Sequence, residues 1–204
     1  VATDHQEIAN VIGAAGGRAV ITRDDHPSGS DRVFEALQII DPNGSFETIL
    51  NLQGDLPEMD PGIPEALVTA LDRSGADLAT LVTPATAEEA VRPQVVKAAI
   101  AWDNRCDQPA TNGNRFGTAL YFSRAPIPAG ATEYNHHVGV YGWRRSALSA
   151  FVRLPPSPLE LTEKLEQLRA LEAGMTIAVA QINAAPGGVD TNDDLIATRR
   201  RLGH

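Results

Sequence analysis

The chain has 204 residues, of which 43% are hydrophobic and 21% charged, an ordinary composition for one large globular domain or two small ones. Its 26 acidic side chains outnumber the 17 basic ones, and the net charge of −9 argues against a nucleic-acid surface, which depends on lysine and arginine. A single cysteine excludes a disulfide framework or a cysteine-rich zinc site within the chain. No apolar run approaches the ~20 residues of a membrane span, so we expect a cytoplasmic protein without membrane contact.

The first residues are typical of the end of a strand. Val1 to Thr3 precede an Asp4 and Glu7 pair with the spacing of a capping box, which predicts a helix to about Ala15. The chain does not begin with methionine, and we expect that a leading segment is missing from the sequence.

Strand and helix patterns alternate along the rest of the chain. Apolar runs predict strands, and capped amphipathic stretches predict helices; residues 104–117 receive no assignment. The predicted strands are 18–23, 47–55, 77–84, 94–103, 118–128, 135–143 and 176–182. The predicted helices are one ending at residue 40, 61–71, 146–152, one capped by Ser157 and ending at Gly174, and one capped by Thr191.

This alternation predicts an α/β fold with one domain over residues 1–204. We expect a mostly parallel, doubly wound sheet with helices on both faces. Such sheets bind ligands in a crevice beyond the carboxyl ends of their strands. Asp55 follows one predicted strand and Asp190 follows another, so we expect both carboxylates at the same edge.

Two carboxylates at one sheet edge have two interpretations. They can hold a hard cation such as Mg²⁺, which binds one or two protein carboxylates and keeps its other positions for water and phosphate. They can also be ordinary turn and cap residues, since aspartate accepts hydrogen bonds from nearby backbone N–H groups. The spacing alone leaves both interpretations open.

Three further stretches carry polar side chains of interest. Residues 26–32 form a loop before a helix that could receive phosphate or a base, or could simply cap the helix. Adjacent histidines lie on a predicted strand, and the apolar pattern places His136 on the buried face and His137 on the more open one. Glu166 and Gln167 lie off the leucine stripe of Leu161, Leu165 and Leu168, where a solvated position is the ordinary outcome.

Six segments together resemble the 3-deoxy-manno-octulosonate (Kdo) cytidylyltransferases, or CMP-Kdo synthetases, in their order and spacing. They are 26–32, 51–57, 119–128, 136–145, 157–174 and 187–195. The resemblance implies a nucleotide-diphospho-sugar transferase-like fold with a small extension that forms a homodimer. It implies the Mg²⁺-dependent transfer of CMP from CTP to Kdo, a 3-deoxy-2-keto sugar acid, for lipopolysaccharide biosynthesis.

The resemblance also implies roles for individual residues. Asp55 and Asp190 match the metal-binding, catalytic aspartates. The residues implied to line the nucleotide pocket are His26, Ser28, Gly29, Ser30, Asp31, Arg32 and Gln53. The residues implied to line the sugar-acid pocket are His137, Glu166 and Gln167.

Two alternatives to this function stay open from the sequence. The family opens with a strand and a triphosphate-binding loop that this sequence lacks, which motivates a non-catalytic nucleotide-sugar-binding subunit. A cytidylyltransferase for another acidic sugar, such as 8-amino Kdo or a sialic acid, would keep the same fold.

Overall fold

The computed structural model describes residues 1–103, 115–189 and 191–203, so that Asp190 lies outside the described residues. The strands are Ala2–Thr3 (β1), Val20–Ile21 (β2), Thr48–Asn51 (β3), Leu78–Ala85 (β4), Lys97–Trp102 (β5), Phe116–Ser123 (β6), Tyr134–Arg144 (β7) and Ile177–Gln181 (β8). The helices are Gln6–Ala14 (α1), Gly29–Ile40 (α2), Gly62–Ser74 (α3), Ala87–Ala90 (α4), Arg145–Phe151 (α5), Pro158–Glu163 (α6), Gln167–Glu172 (α7) and Asn192–Leu202 (α8). Within these ranges, none of the helices has the length and apolar character needed to cross a membrane.

The described strands form a mixed sheet rather than the mostly parallel one that we predicted. Six strands pair in the order β3-β7-β4-β8-β6-β5, and β1 pairs with β2 in a separate small sheet. In the larger sheet β4 and β8 pair in parallel, whereas β6 and β7 run against their neighbours. The sequence could not reveal these directions, because a strand buried on both faces has a continuous apolar pattern whichever way it runs.

The helices cover both faces of the sheet, as predicted. Along β4, Leu78 and Val82 join one apolar cluster, and Ala79 and Leu81 join the other, as the alternation of a strand requires. The first cluster includes buried side chains of α2, α5 and α7, and the second includes those of α3. The fold class inferred from the alternating pattern is therefore confirmed apart from strand direction.

Three strands end at one edge of the sheet. Because β3 and β4 are both antiparallel to β7, and β8 is parallel to β4, the strands β3, β4 and β8 point the same way. The amino-terminal half of β7 pairs with the carboxyl end of β4, with His137 opposite Val82. This edge therefore brings together the carboxyl ends of β3, β4 and β8 and the amino-terminal half of β7.

The first predicted helix cap is wrong. Helix α1 begins after His5, and the side chain of that N-cap residue makes no capping hydrogen bond. The Asp4 carboxylate instead accepts a hydrogen bond from Arg32 Nη2 at 3.2 Å. A nearby guanidinium competes for a carboxylate more strongly than a backbone N–H does, since both groups are charged. The strand predicted at 18–23 is also shorter, at Val20–Ile21.

The helix predicted from Ser157 to Gly174 is broken in two. Ser157 caps α6 in a capping box with Glu160, as predicted. Lys164 then adopts the left-handed conformation with φ of 57°, and α7 starts three residues later, at Gln167. The leucine stripe is therefore interrupted: Leu161 is 64% exposed, whereas Leu165 and Leu168 are buried. The break turns the start of α7 toward the sheet.

Candidate active site

The amino terminus of α2 forms one wall of the site. Ser28 caps the helix, since its Oγ accepts from the Asp31 N–H at 3.3 Å and donates to Asp31 Oδ2 at 2.6 Å. A Cβ on Gly29 would lie 3.9 Å from Nδ2 of Asn51, the last residue of β3, so the helix start packs closely on the strand end. Ser30 Oγ is buried and makes no hydrogen bond of standard geometry to any described residue.

Glu166 lies beside this helix start. Burial raises the pKa of its carboxyl, while the nearby hydroxyls of Ser30 and Ser28 and the charge of Arg169 act in the opposite direction. The break at Lys164 explains this position, because a continuous helix would have left Glu166 off the buried leucine face. The structure therefore brings the predicted residues Ser28, Ser30 and Glu166 together.

His137 is the centre of a buried hydrogen-bond chain. Its Nε2 lies 2.9 Å from Thr80 Oγ1, and its Nδ1 lies 3.5 Å from Gln167 Nε2. Gln167 Oε1 in turn accepts from the Tyr141 hydroxyl at 3.2 Å. The rings of Phe122 and Tyr141 flank the imidazole at centroid distances of 4.9 and 5.7 Å.

The histidine faces are the reverse of our prediction. His137 is 7% exposed and His136 is only partly buried. The prediction assumed one open sheet face, but helices cover both faces here. Burial, and then the charge of His136, lower the pKa of His137 from 6.5 to about 3, so its ring is neutral near pH 7.

This buried imidazole predicts a pH-dependent stability. The unfolded chain takes up a proton on His137 below pH 6.5 that the folded chain does not accept until about pH 3. The free energy of unfolding should therefore fall as the pH is lowered through this window, by up to about 1.4 kcal/mol per pH unit from this residue. Urea denaturation of the wild type and of His137→Gln measures the effect, because the other titrating groups cancel in the difference. Parallel curves for the two proteins would contradict a neutral buried ring.

Three polar side chains that sequence analysis missed lie side by side on neighbouring strands of the sheet. Asn51 on β3 is opposite Tyr141 on β7, and Tyr141 is opposite Thr80 on β4. Side chains that pair in this way share a face. The only signal in the sequence is the shared strand face of His137 and Tyr141, since the pairing of distant strands leaves no local pattern.

Asp55 lies in the loop after β3. Its side chain is exposed, and its carboxylate has no hydrogen-bond or ion-pair partner among residues 1–103, 115–189 and 191–203. Its carbonyl oxygen accepts from the Val189 N–H at 2.9 Å, so the residue before Asp190 in the chain lies beside it. An exposed carboxylate without a protein partner is the kind of oxygen ligand that Mg²⁺ takes, so the residue fits a cation site. The described ranges, which exclude Asp190, contain no cluster of three or more histidine, cysteine, aspartate or glutamate side chains that could hold a metal ion.

An ion pair ties the same loop to the last helix. Glu58 accepts from Arg201 Nε at 2.9 Å and from Arg201 Nη2 at 2.6 Å, and from Thr198 Oγ1 at 3.1 Å. Thr191 caps α8, as predicted. The loop that carries Asp55 is therefore held against the segment before α8 through Val189, and against α8 itself through Glu58.

Three residues implied by the resemblance have other partners. Arg32 donates to Thr22 Oγ1 at 2.8 Å and to Asp4, which ties α2 to the small sheet. His26 Nε2 contacts Glu35 Oε2, and both residues line an open cavity of about 370 Å³ that also contacts Asp31. Gln53 accepts from the Leu56 N–H at 3.3 Å through its carbonyl, within the β3–α3 loop.

Comparison with known proteins finds a matching family and relatives that share one name. The cytidylyltransferase family profile matches residues 1–177. A protein of Rhodopseudomonas palustris (strain BisB18) is 52% identical over 205 residues, covering 100% of this chain and 80% of its own length. A Bradyrhizobium protein is 51% identical over 203 residues, with 99% and 79% covered. Both are named 3-deoxy-manno-octulosonate cytidylyltransferase.

Solved structures agree with these relatives. A CMP:2-keto-3-deoxy-manno-octonic acid synthetase complexed with CTP superposes with a TM-score of 0.84 at 34% identity, covering 98% of this chain and 78% of that one. A 4-diphosphocytidyl-2C-methyl-D-erythritol synthase from Anaerococcus prevotii reaches a TM-score of 0.58 at 12% identity, with the same coverage, and supports the fold alone.

Proposed function

Because this chain belongs to the 3-deoxy-manno-octulosonate cytidylyltransferase family, we propose that it transfers CMP from CTP to Kdo and releases pyrophosphate. The observation that carries the proposal is the 52% identity to a relative of that name over the whole chain. The product is an activated sugar of lipopolysaccharide biosynthesis. A cytoplasmic homodimer belongs to the same proposal and rests on the family resemblance.

The chemistry joins two anions on an acidic protein. A sugar carboxylate and a phosphate oxygen 4 Å apart repel each other by about 4 kcal/mol at an effective dielectric constant near 20. We propose that Asp55 and Asp190 hold a Mg²⁺ ion that offsets this repulsion. Two observations support the proposal: the Asp55 carboxylate has no partner in the described part of the chain, and the Asp55 carbonyl accepts from the Val189 N–H. When bound, the ion supplies charge neutralisation between the two substrates and lowers the pKa of the attacking hydroxyl.

The chain's own residues then place the reactants. The backbone N–H groups at the start of α2 are donors for the nucleotide, and the buried Ser30 hydroxyl lies at the same helix start, beside Glu166. Gln167 has one amide N–H left without a partner in the described part of the chain, and Glu166 has an acceptor for sugar hydroxyls. His137, with both ring nitrogens engaged, supports Gln167.

The proposed reaction needs no covalent intermediate. The anomeric hydroxyl oxygen of Kdo forms a bond to the α-phosphorus of CTP while the bond from that phosphorus to the bridging oxygen breaks. The hydroxyl proton leaves to solvent, and pyrophosphate departs with the bridging oxygen. Positioning and charge stabilisation therefore supply the catalysis, and no side chain is assigned as a general base.

Pyrophosphate release tests the function and its specificity. The full-length protein with CTP and Mg²⁺ is expected to release pyrophosphate with Kdo at least tenfold faster than with 8-amino Kdo or a sialic acid. A preference for one of the other sugar acids would reassign the substrate. Binding of CTP or CMP-Kdo without turnover on any sugar acid would instead indicate a non-catalytic binding subunit.

A further inference from the structure

A bulge in β7 brings two residues of the site together. The neighbouring residues Thr80 and Leu81 of β4 pair with Tyr141 and Val138, so β7 carries two extra residues at this point. Four residues of regular strand would separate side chains by roughly 13 Å. The rings of His137 and Tyr141 are instead 5.7 Å apart, close enough for Gln167 to bridge them.

One hydroxyl group closes this bulge. Thr80 Oγ1 is fully buried and lies 2.9 Å from Val140 O, 3.2 Å from Val138 O and 2.9 Å from His137 Nε2. Both carbonyl oxygens are acceptors only, so the single hydroxyl hydrogen points to them. The oxygen of Thr80 must then accept from His137, which requires that Nε2 carries the imidazole proton.

The direction of this hydrogen bond sets which group donates and which accepts in the other hydrogen bonds of the buried network of His137, Gln167 and Tyr141. With the proton on Nε2, the neutral ring has an acceptor at Nδ1, and Gln167 must turn its amide nitrogen toward it. The Gln167 oxygen then faces Tyr141 and accepts its O–H. The opposite tautomer would reverse the donor and the acceptor in each of these hydrogen bonds. The Tyr141 oxygen would then accept from the Gln167 amide, and its hydrogen would point where an oxygen lone pair now lies.

We propose that Thr80 is a positioning residue for the sugar acid: it closes the β7 bulge and fixes the tautomer of His137, and thereby the orientation of Gln167 and Tyr141. The inference rests on the proposed function in one respect, that His137 and Gln167 border the sugar-acid pocket. Thr80 itself acts through His137.

The test compares Thr80→Val, which removes the hydroxyl at nearly constant volume, with Thr80→Ser, which keeps it. Long-range ¹H–¹⁵N NMR of histidine-labelled protein reports the His137 tautomer without substrate. We expect Nε2–H in the wild type and in Thr80→Ser, and a mixed or reversed tautomer in Thr80→Val. We also expect the KM for Kdo to rise at least about tenfold in Thr80→Val, with the KM for CTP changed less than twofold, and Thr80→Ser to stay near wild type.

Several outcomes would overturn the inference. They are an Nδ1–H tautomer in the wild type, an unchanged tautomer in Thr80→Val, or equal increases of both KM values in a folded variant. Thr80→Ala removes the same hydroxyl and replaces Thr80→Val if the latter does not fold, as judged by circular dichroism. Failure of the proposed function is distinguishable, because the tautomer is measured on the free protein whichever sugar acid proves to be the substrate.

Discussion

Replacement of Asp55 by asparagine is expected to lower kcat by at least ~100-fold in the full-length enzyme, the scale on which electrostatic stabilisation of a transition state is lost. The amide keeps the shape of the side chain but removes the negative charge that holds the cation. Because Asp55 is exposed and has no hydrogen-bond or ion-pair partner in the described part of the chain, the fold and its melting temperature should be unchanged. Steady-state pyrophosphate release at saturating Mg²⁺ measures the effect.

Asp60→Asn is the matched control, since Asp60 is exposed in the same loop and, among the described residues, its carboxylate accepts a hydrogen bond only from the Gly62 N–H, at 2.7 Å. It should retain near-wild-type kcat.

Asp190→Asn should lower kcat as much as Asp55→Asn does. The double variant should have a kcat little lower than that of either single variant, since two ligands of one ion act as a unit. Wild-type turnover by Asp55→Asn or Asp190→Asn would remove that residue from the proposed metal site.

Truncation of His137 to alanine is expected to raise the KM for Kdo at least tenfold and to change the KM for CTP much less. The substitution removes Nδ1, the acceptor 3.5 Å from Gln167 Nε2 that orients this amide. It also removes Nε2, the donor 2.9 Å from the Thr80 hydroxyl oxygen. A net loss of one or two hydrogen bonds in a buried network is on this scale. The residues at the start of α2, which are proposed to bind the nucleotide, make no direct hydrogen bond to this histidine among the described contacts. The KM for CTP should therefore change little.

His136→Ala is the control for this prediction, because His136 lies on the other face of β7 and interacts with Glu89 and Lys97. It should leave the ratio of the two KM values near that of the wild type. Equal increases of both values in His137→Ala would mean that His137 only stabilises the sheet.

The position of Asp55 could be predicted from the sequence because the signal is local. An apolar strand, a glycine and an aspartate predict an acidic side chain at the carboxyl end of a strand. Strand β3 ends at Asn51 rather than at the predicted residue 55, so Asp55 lies in the loop beyond it. The helix start after the loop of residues 26–32 was predictable for the same reason, because its signals lie within a few consecutive residues; the structure places its cap at Ser28.

The sugar-acid side of the site could not be predicted in this way. A lysine in the left-handed conformation at position 164 breaks a stretch that has the spacing of one continuous helix, and tertiary packing overrides the local pattern. The bulge opposite Thr80 depends on the register between two strands whose paired residues are about 60 positions apart, so no window of sequence contains it. Both features act on Glu166, Gln167 and His137, whose burial the sequence pattern therefore misjudged.

The most direct test of the account is the location of the metal ion. Anomalous diffraction from crystals of the full-length enzyme with Mn²⁺ and CTP should show an ion within about 2.0–2.2 Å of a carboxylate oxygen of both Asp55 and Asp190. An ion bound by the triphosphate alone, with both carboxylates turned away from it, would contradict the shared metal site on which the proposed mechanism depends.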